Sequence, residues 1–379
     1  MNARRLLFVL SLVALIALAA CAPAPTPAPT AAPPTAAPAA PTSAPAPTSA
    51  PAAPTSAPAP TSAPAASTSA PAASSGVFKV AVIMPSAAND LSFSQSMYDA
   101  LVKVQNEMGK DKFQFVYSEN MFNVPDAAAA IRDYASKGYN LVIAHGSQYG
   151  ASLADIAPDF PKTAFAWGTA VDTYESKGIH NIFSYTVASD EGGYVEGVMA
   201  AKLSKSGVVG FIGPIPAGDG KLTTDGFQAG AKATNPNIQV RVTYTQSFSD
   251  VALTSQAAQT MIASGADVLS GTSQSVVGAI SVAKDKNVLW FGNDADESSL
   301  APKIVVANQI YDWTIALDDM ISNINQGTLG GKVYTLTLKN GGLKMVYNPQ
   351  YSLSPDIKAL ADKTVQGLID GTIKTGVSQ

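Results

Sequence analysis

From Val77 onward the chain alternates short β-branched and aromatic runs with amphipathic stretches, a rhythm that restricts its fold more than any other feature. Runs at Phe78–Met84, Phe113–Tyr117, Leu141–His145, Thr163–Trp167 and Ile182–Tyr185 predict one series of strands. A second series follows at Val208–Ile212, Ile238–Tyr244, Asp267–Leu269 and Val288–Phe291, with Ile304–Ala307 after it. Helical periodicity fills the gaps, at Phe93–Met108, Asp126–Lys137, Gly192–Leu203, Thr224–Thr234, Ala252–Ser264 and Val276–Lys284. Strand and helix at this spacing argue for parallel α/β sheets covered on both faces. Gly146, Gly168, Gly213, Gly271 and Gly292 follow or end strands, and mark the loops where open α/β sheets bind ligands.

The pattern comes in two similar runs, one over residues 77–187 and one over 190–303, followed by a further strand and helix within Ile304–Asn325. Near the end, Val333–Leu338 and Leu343–Tyr347 flank Asn340-Gly341, a strong hairpin signal, and a helix is predicted over Ser354–Gly371. Two halves and a tail that recrosses between them predict two lobes joined by a multi-strand hinge. The expected division gives 76–188 plus 304–328 to the first lobe and 189–303 plus 329–379 to the second. A single large doubly wound sheet is the alternative.

The first 75 residues obey different rules. Arg4 and Arg5 precede an apolar run, Leu6–Ala20, too short for the roughly 20 residues of a spanning helix but suited to a signal peptide. It ends in Leu18-Ala19-Ala20-Cys21, which resembles the bacterial lipobox, so Cys21 is the expected site of lipidation. Residues 22–75 hold no charge, aromatic or glycine and 16 of the 26 prolines, and Pro41–Ala53 repeats verbatim as Pro54–Ala66. Such a segment cannot build a core and reads as a disordered, semi-extended tether.

Composition removes several functions. Residues 76–379 carry 22 basic and 28 acidic side chains, so no basic surplus meets a nucleic acid backbone. One cysteine excludes disulfides within the chain, and two histidines, His145 and His180, make a multi-histidine metal site improbable. Gly218-Asp219-Gly220-Lys221 only faintly resembles a phosphate loop, because the Ser or Thr that should follow the lysine is Leu222. Met84-Pro85-Ser86-Ala87 stands where a dinucleotide fingerprint would begin, and no GxSxG occurs. His145 reads equally as a ligand contact or a satisfied core residue, and His180 as a surface residue. Catalysis has no convincing carrier, and no cofactor or metal is expected.

Three segments at strand ends set polar groups beside aromatic ones or gather carboxylates. Asn89-Asp90-Leu91-Ser92-Phe93-Ser94-Gln95 opens the first helix, where Asn89 or Asp90 serves equally well as a cap. Thr245-Gln246-Ser247-Phe248-Ser249-Asp250 follows a strand of the second half, with Asp250 as a cap. Gly292-Asn293-Asp294-Ala295-Asp296-Glu297 gathers carboxylates that could accept hydrogen bonds from vicinal hydroxyls.

At these residues the chain resembles the basic membrane protein family, substrate-binding lipoproteins of ABC importers that include the purine nucleoside receptor of spirochaetes. The resemblance covers residues 77–379. It rests on Asn89–Gln95, Asp190-Glu191-Gly192-Gly193-Tyr194, Asp225-Gly226-Phe227-Gln228-Ala229-Gly230, Ser247–Asp250, Gly265–Val268 and Gly292–Asp296 in order. It implies a type I periplasmic-binding clamshell of two doubly wound parallel-sheet lobes. It further implies that Phe93 and Phe248 clamp a purine, that Asp90 meets the base edge and that Asp294 meets the ribose hydroxyls. Stacking of this kind contributes roughly 1–3 kcal/mol per base. Ser147, Gln148 and Gly271 complete the expected site with Asn89 and Gln309, which stands where nucleoside receptors carry a lysine.

The expected protein is a monomeric, lipid-anchored receptor on the outer face of the cell membrane. It takes a purine nucleoside to an ABC permease without turnover. A free nucleobase or sugar-like ligand, a sensor that presents its closed form to a membrane receptor, and a surface enzyme acting on nucleosides or glycans are the rivals.

Overall fold

The computed structural model describes residues 76–378. The signal segment, Cys21 and the tether lie outside the described residues. The first half runs β1 (Phe78–Ile83), α1 (Phe93–Met108), β2 (Phe113–Ser118), α2 (Val124–Ser136), β3 (Leu141–Ala144), α3 (Gly150–Ile156), β4 (Ala164–Gly168) and β5 (Ile182–Val187). The second runs α4 (Ser189–Leu203), β6 (Val208–Gly213), α5 (Gly218–Thr234), β7 (Gln239–Tyr244), α6 (Val251–Ala263), β8 (Val268–Gly271), α7 (Val277–Asp285) and β9 (Leu289–Asp294). The tail adds β10 (Val305–Tyr311), α8 (Thr314–Asn325), β11 (Val333–Leu336), β12 (Leu343–Tyr347) and α9 (Pro355–Asp370).

Two separate six-stranded sheets result, so the single-sheet alternative falls. One has the order β11-β5-β4-β3-β1-β2 and the other β12-β10-β9-β8-β6-β7. The first is parallel throughout; in the second only β12 runs antiparallel, against β10. The central strands β3 and β8 are buried along their whole length, as strands covered on both faces must be. This is the two-lobe, type I binding-protein architecture.

The tail departs from expectation in two ways. The strand within 304–328 does not join the first lobe: β10 pairs with β9 and β12 in the second sheet. Nor does all of 329–379 join the second, since β11 pairs with β5 in the first. The expected hairpin is therefore absent as a pair of bonded strands. Its turn is built as the sequence implied, with the Asn340 side chain accepting from the Thr337 and Gly342 amides and Gly341 at φ 73°. The strands it joins diverge, each to the open edge of a different sheet, where a whole ladder of partners outweighs one short hairpin. The chain thus crosses between lobes at β5–α4, β10–α8 and β11–β12.

Helices α4 and α5 meet through glycine. A Cβ on Gly193 or Gly197 would stand 2.3 or 2.1 Å from the carbonyl oxygens of Thr223 and Phe227. On Gly226 or Gly230 it would stand 2.2 or 2.0 Å from those of Asp190 and Tyr194. The Asp190–Tyr194 and Asp225–Gly230 motifs are thus where two backbones touch. They fix the helix that carries Asp219.

Candidate binding cleft

A cleft of about 310 Å³ opens where the carboxyl ends of both sets of strands face each other, within the range of small-molecule sites. In each sheet the strand order reverses direction once, between β1 and β3 and between β6 and β8. Ligand crevices form at such switch points. From the first lobe, Phe93 follows β1, Gly146, Ser147 and Gln148 follow β3, and Thr169 follows β4. From the second, Asp219 follows β6, Phe248 follows β7, Thr272 to Gln274 follow β8, and Asp294 and Tyr311 end β9 and β10.

Phe93 is held by an aromatic stack behind it. Its ring lies parallel to that of His145 at 3.9 Å between centroids, and Trp313 packs edge-on to both. His145 is fully buried. One ring nitrogen faces the Phe93 carbonyl at 3.0 Å, which only accepts, so Nε2 carries the proton and Nδ1 accepts from the Tyr185 hydroxyl at 2.7 Å. Burial holds its pKa down to about 3, so the ring is neutral. His145 is the satisfied core histidine, while His180 is exposed. Across the cleft, Phe248 is tilted against Phe122 of the opposite lobe at 5.9 Å. Phe122 is 55 % exposed, an apolar side chain at the rim.

Asp294 ends β9 in a left-handed conformation, φ 71°, which an aspartate tolerates better than most residues. Its carboxylate accepts from Ser92 Oγ of the other lobe at 2.7 Å and from Thr272 Oγ1 at 3.2 Å. Burial raises its pKa to about 6, opposed by the bond from Ser92. Thr169 also has positive φ, 54°, unusual for a β-branched residue.

Asp219 sits in the first turn of α5, raised to about 7 by burial and then by the charge of Asp294. One oxygen accepts from Thr186 Oγ1 at 3.4 Å; the other, Oδ2, is buried without a partner. Gln148 presents a buried Nε2 that is likewise unpartnered, from the opposite lobe.

The other expected residues fall elsewhere. Asp90 accepts from the Ser92, Ser94 and Gln95 amides and from Ser86 Oγ, so it ties the turn before α1 to the first amides of the helix, whose N-cap position is Ser92, and it lies off the cleft wall. Asn89 is exposed outside the cleft. Gly271 is packing: a Cβ there would stand 2.6 Å from the Ile212 carbonyl oxygen. Gln309 is fully buried and donates to Asn293 Oδ1, while Asn293 donates to Ser270 Oγ at 3.1 Å and the Gly271 carbonyl at 2.8 Å. Glu196 joins this network through Ser270 Oγ at 3.0 Å, its pKa well raised by burial. Asp250 caps α6 as anticipated. Asp219, Tyr311, Phe122 and Thr272 were not anticipated; only the Gly218–Lys221 loop drew notice in the sequence, and as a failed phosphate loop.

Two α/β lobes that close a small polar and aromatic cleft between their strand ends define a solute-binding protein. Residues 77–375 match the family of ABC transporter substrate-binding proteins described as PnrA-like, and the chain belongs to that family, which is one of solute-binding proteins and not of enzymes. It is 28% identical over 298 residues to a purine-binding protein of Brucella abortus, covering 79% of this chain and 81% of the relative. It is 29% identical over 300 residues to basic membrane protein A2 of Borrelia garinii, covering 77% and 87%. A solved ABC-transporter solute-binding protein from Conexibacter woesei superposes with a TM-score of 0.66 at 23% identity, covering 79% of this chain and 98% of that one. No helix among the described residues is long and apolar enough to cross a membrane.

Proposed function

We propose that this chain captures a purine nucleoside between its lobes and delivers it to the permease of an ABC importer, while Cys21 anchors it to the outer face of the membrane. One observation carries the reading: Phe93 and Phe248, from opposite lobes, line the same cleft as two carboxylates and an unpaired amide. A flat base stacks between such rings, and the sugar and base edge bring the hydrogen bonds. The similarity to a purine-binding protein supports the same ligand class. Contacts from both lobes favour the closed state by their differential binding energy, and the closed form is what a permease would recognise.

A thermal-shift screen of the chain against nucleosides, nucleobases and simple sugars tests the ligand. Adenosine, guanosine or inosine should raise the midpoint, by an amount equivalent to about 2.7 kcal/mol at 100 times the dissociation constant. Response to sugars alone would refute the nucleoside.

A further inference from the structure

We propose that Asp219 selects the ligand: its buried Oδ2 takes a hydrogen-bond donor from a neutral or cationic solute and turns away anionic ones. The proposal rests on the reading of the cleft as a solute site.

Three observations lead to it. First, the residues that line the cleft include Asp219 and Asp294 but no lysine, arginine or histidine. A phosphate or carboxylate on the ligand would meet two acids and no counter-charge in a region of reduced dielectric.

Second, the acids in and beside the cleft divide their work. Asp294 is already engaged by Ser92 and Thr272, and Asp90 by four local donors. Asp219 keeps one oxygen buried and free, and its other oxygen has a single long bond. Folded proteins rarely leave a buried carboxylate oxygen unmade, because its desolvation then goes uncompensated. A ligand donor repairs that.

Third, the matching group lies across the cleft. The free Nε2 of Gln148 is a donor contributed by the first lobe, where Asp219 is an acceptor contributed by the second. A solute satisfies both only if it carries a donor and an acceptor, as purine edges do: N1–H with O6, or N6–H with N1. Closure around such a ligand joins the lobes through it.

The test is titration calorimetry on the full chain with adenosine, guanosine, inosine and their 5′-monophosphates, together with melting of the ligand-free protein. Asp219→Ala should weaken nucleoside binding at least tenfold. Wild type should bind monophosphates at least about a hundredfold more weakly than the nucleosides, and Asp219→Asn should narrow that gap about tenfold or more. In the free protein Asp219→Asn should raise the melting temperature, because the variant removes an uncompensated buried carboxylate. A residue kept for structure would lower it. Nucleoside affinity within twofold of wild type in Asp219→Ala, or a lower melting temperature for free Asp219→Asn, overturns the proposal. If none of the six ligands binds wild type, the purine reading falls, and the direction of the melting shift still decides on Asp219.

Discussion

Replacement of Gly197 by alanine should destabilise the protein although alanine is the better helix former. The new Cβ would lie 2.1 Å from the Phe227 carbonyl oxygen and 2.7 Å from the Ala231 amide nitrogen, whereas real Cβ contacts essentially never fall below 3.0 Å. Both obstacles are backbone atoms, so no rotamer change relieves the clash. Helices α4 and α5 must separate by about 1 Å, and that loosens the contacts at Gly193, Gly226 and Gly230 together. Forced overpacking that shifts backbone costs about 1–3 kcal/mol, occasionally more. The gain in helix propensity returns about 1 kcal/mol at most. A net loss of up to about 2 kcal/mol should lower the midpoint by roughly 3 °C in a body of this size, read by calorimetry. Gly220→Ala is the control, because its Cβ would first meet Pro214 Cδ at 3.3 Å, a contact short by only a few tenths of an ångström. A Gly197→Ala midpoint at or above wild type would refute the claim of backbone contact.

Other expectations follow from single side chains. Phe248→Ala should weaken nucleoside binding at least tenfold, and an unchanged constant in the same titration would remove its stacking role. Ser92→Ala deletes the bond to Asp294 that joins the lobes. A bond to a charged group is worth about 1.5–3 kcal/mol, so ligand affinity should fall about tenfold or more; equal affinity would mean that the bond does not favour closure. Asp312, between β10 and α8, is ion-paired with Lys103 of α1 and Lys344 of β12. Burial opposes its ionisation, but the bonds from Lys344, Thr314 and Lys103 prevail and hold its pKa down to about 2. Its stabilisation is present above the ordinary value of 3.8 and is lost as pH falls through 2. Asp312→Asn should therefore melt lower than wild type at pH 7, with the difference closing toward pH 2; a difference independent of pH would contradict the assignment.

Much of the architecture is written in local pattern. The run Phe93–Met108 forms a helix over those same residues, and the glycines after β3, β4 and β6 mark loops that do form the cleft wall. The depth of a residue along its strand is harder to read. The apolar run alone ends β10 at Ala307, which leaves Gln309 in a loop; the strand continues to Tyr311, so Gln309 lies two residues inside the sheet and Tyr311 reaches the cleft. Asn340-Gly341 signals a turn correctly but carries no information about which edges the flanking strands will find. Asp90 and Asp294 look alike as carboxylates near strand ends. Only packing distinguishes the one whose donors are its own neighbours from the one whose donors are Ser92, 202 residues away, and Thr272. Asp219 was hidden because the value of a free carboxylate oxygen depends on the absence of partners, and sequence lists none of them.

The parting of β11 and β12 also sets the order in which this protein can be completed. Each is the edge strand of a different sheet, and both are made near the end of the chain. Until residue 336 is available β5 lacks its outer neighbour, and until residue 347 β10 lacks its own, so the first sheet is closed only shortly before the second. A chain cut between the two βαβ series would leave the first sheet without β11, whereas all six strands of the second lie after the cut. Both sheets thus receive their last strand from the same short tail, so trimming the chain before residue 333 strips one edge from each.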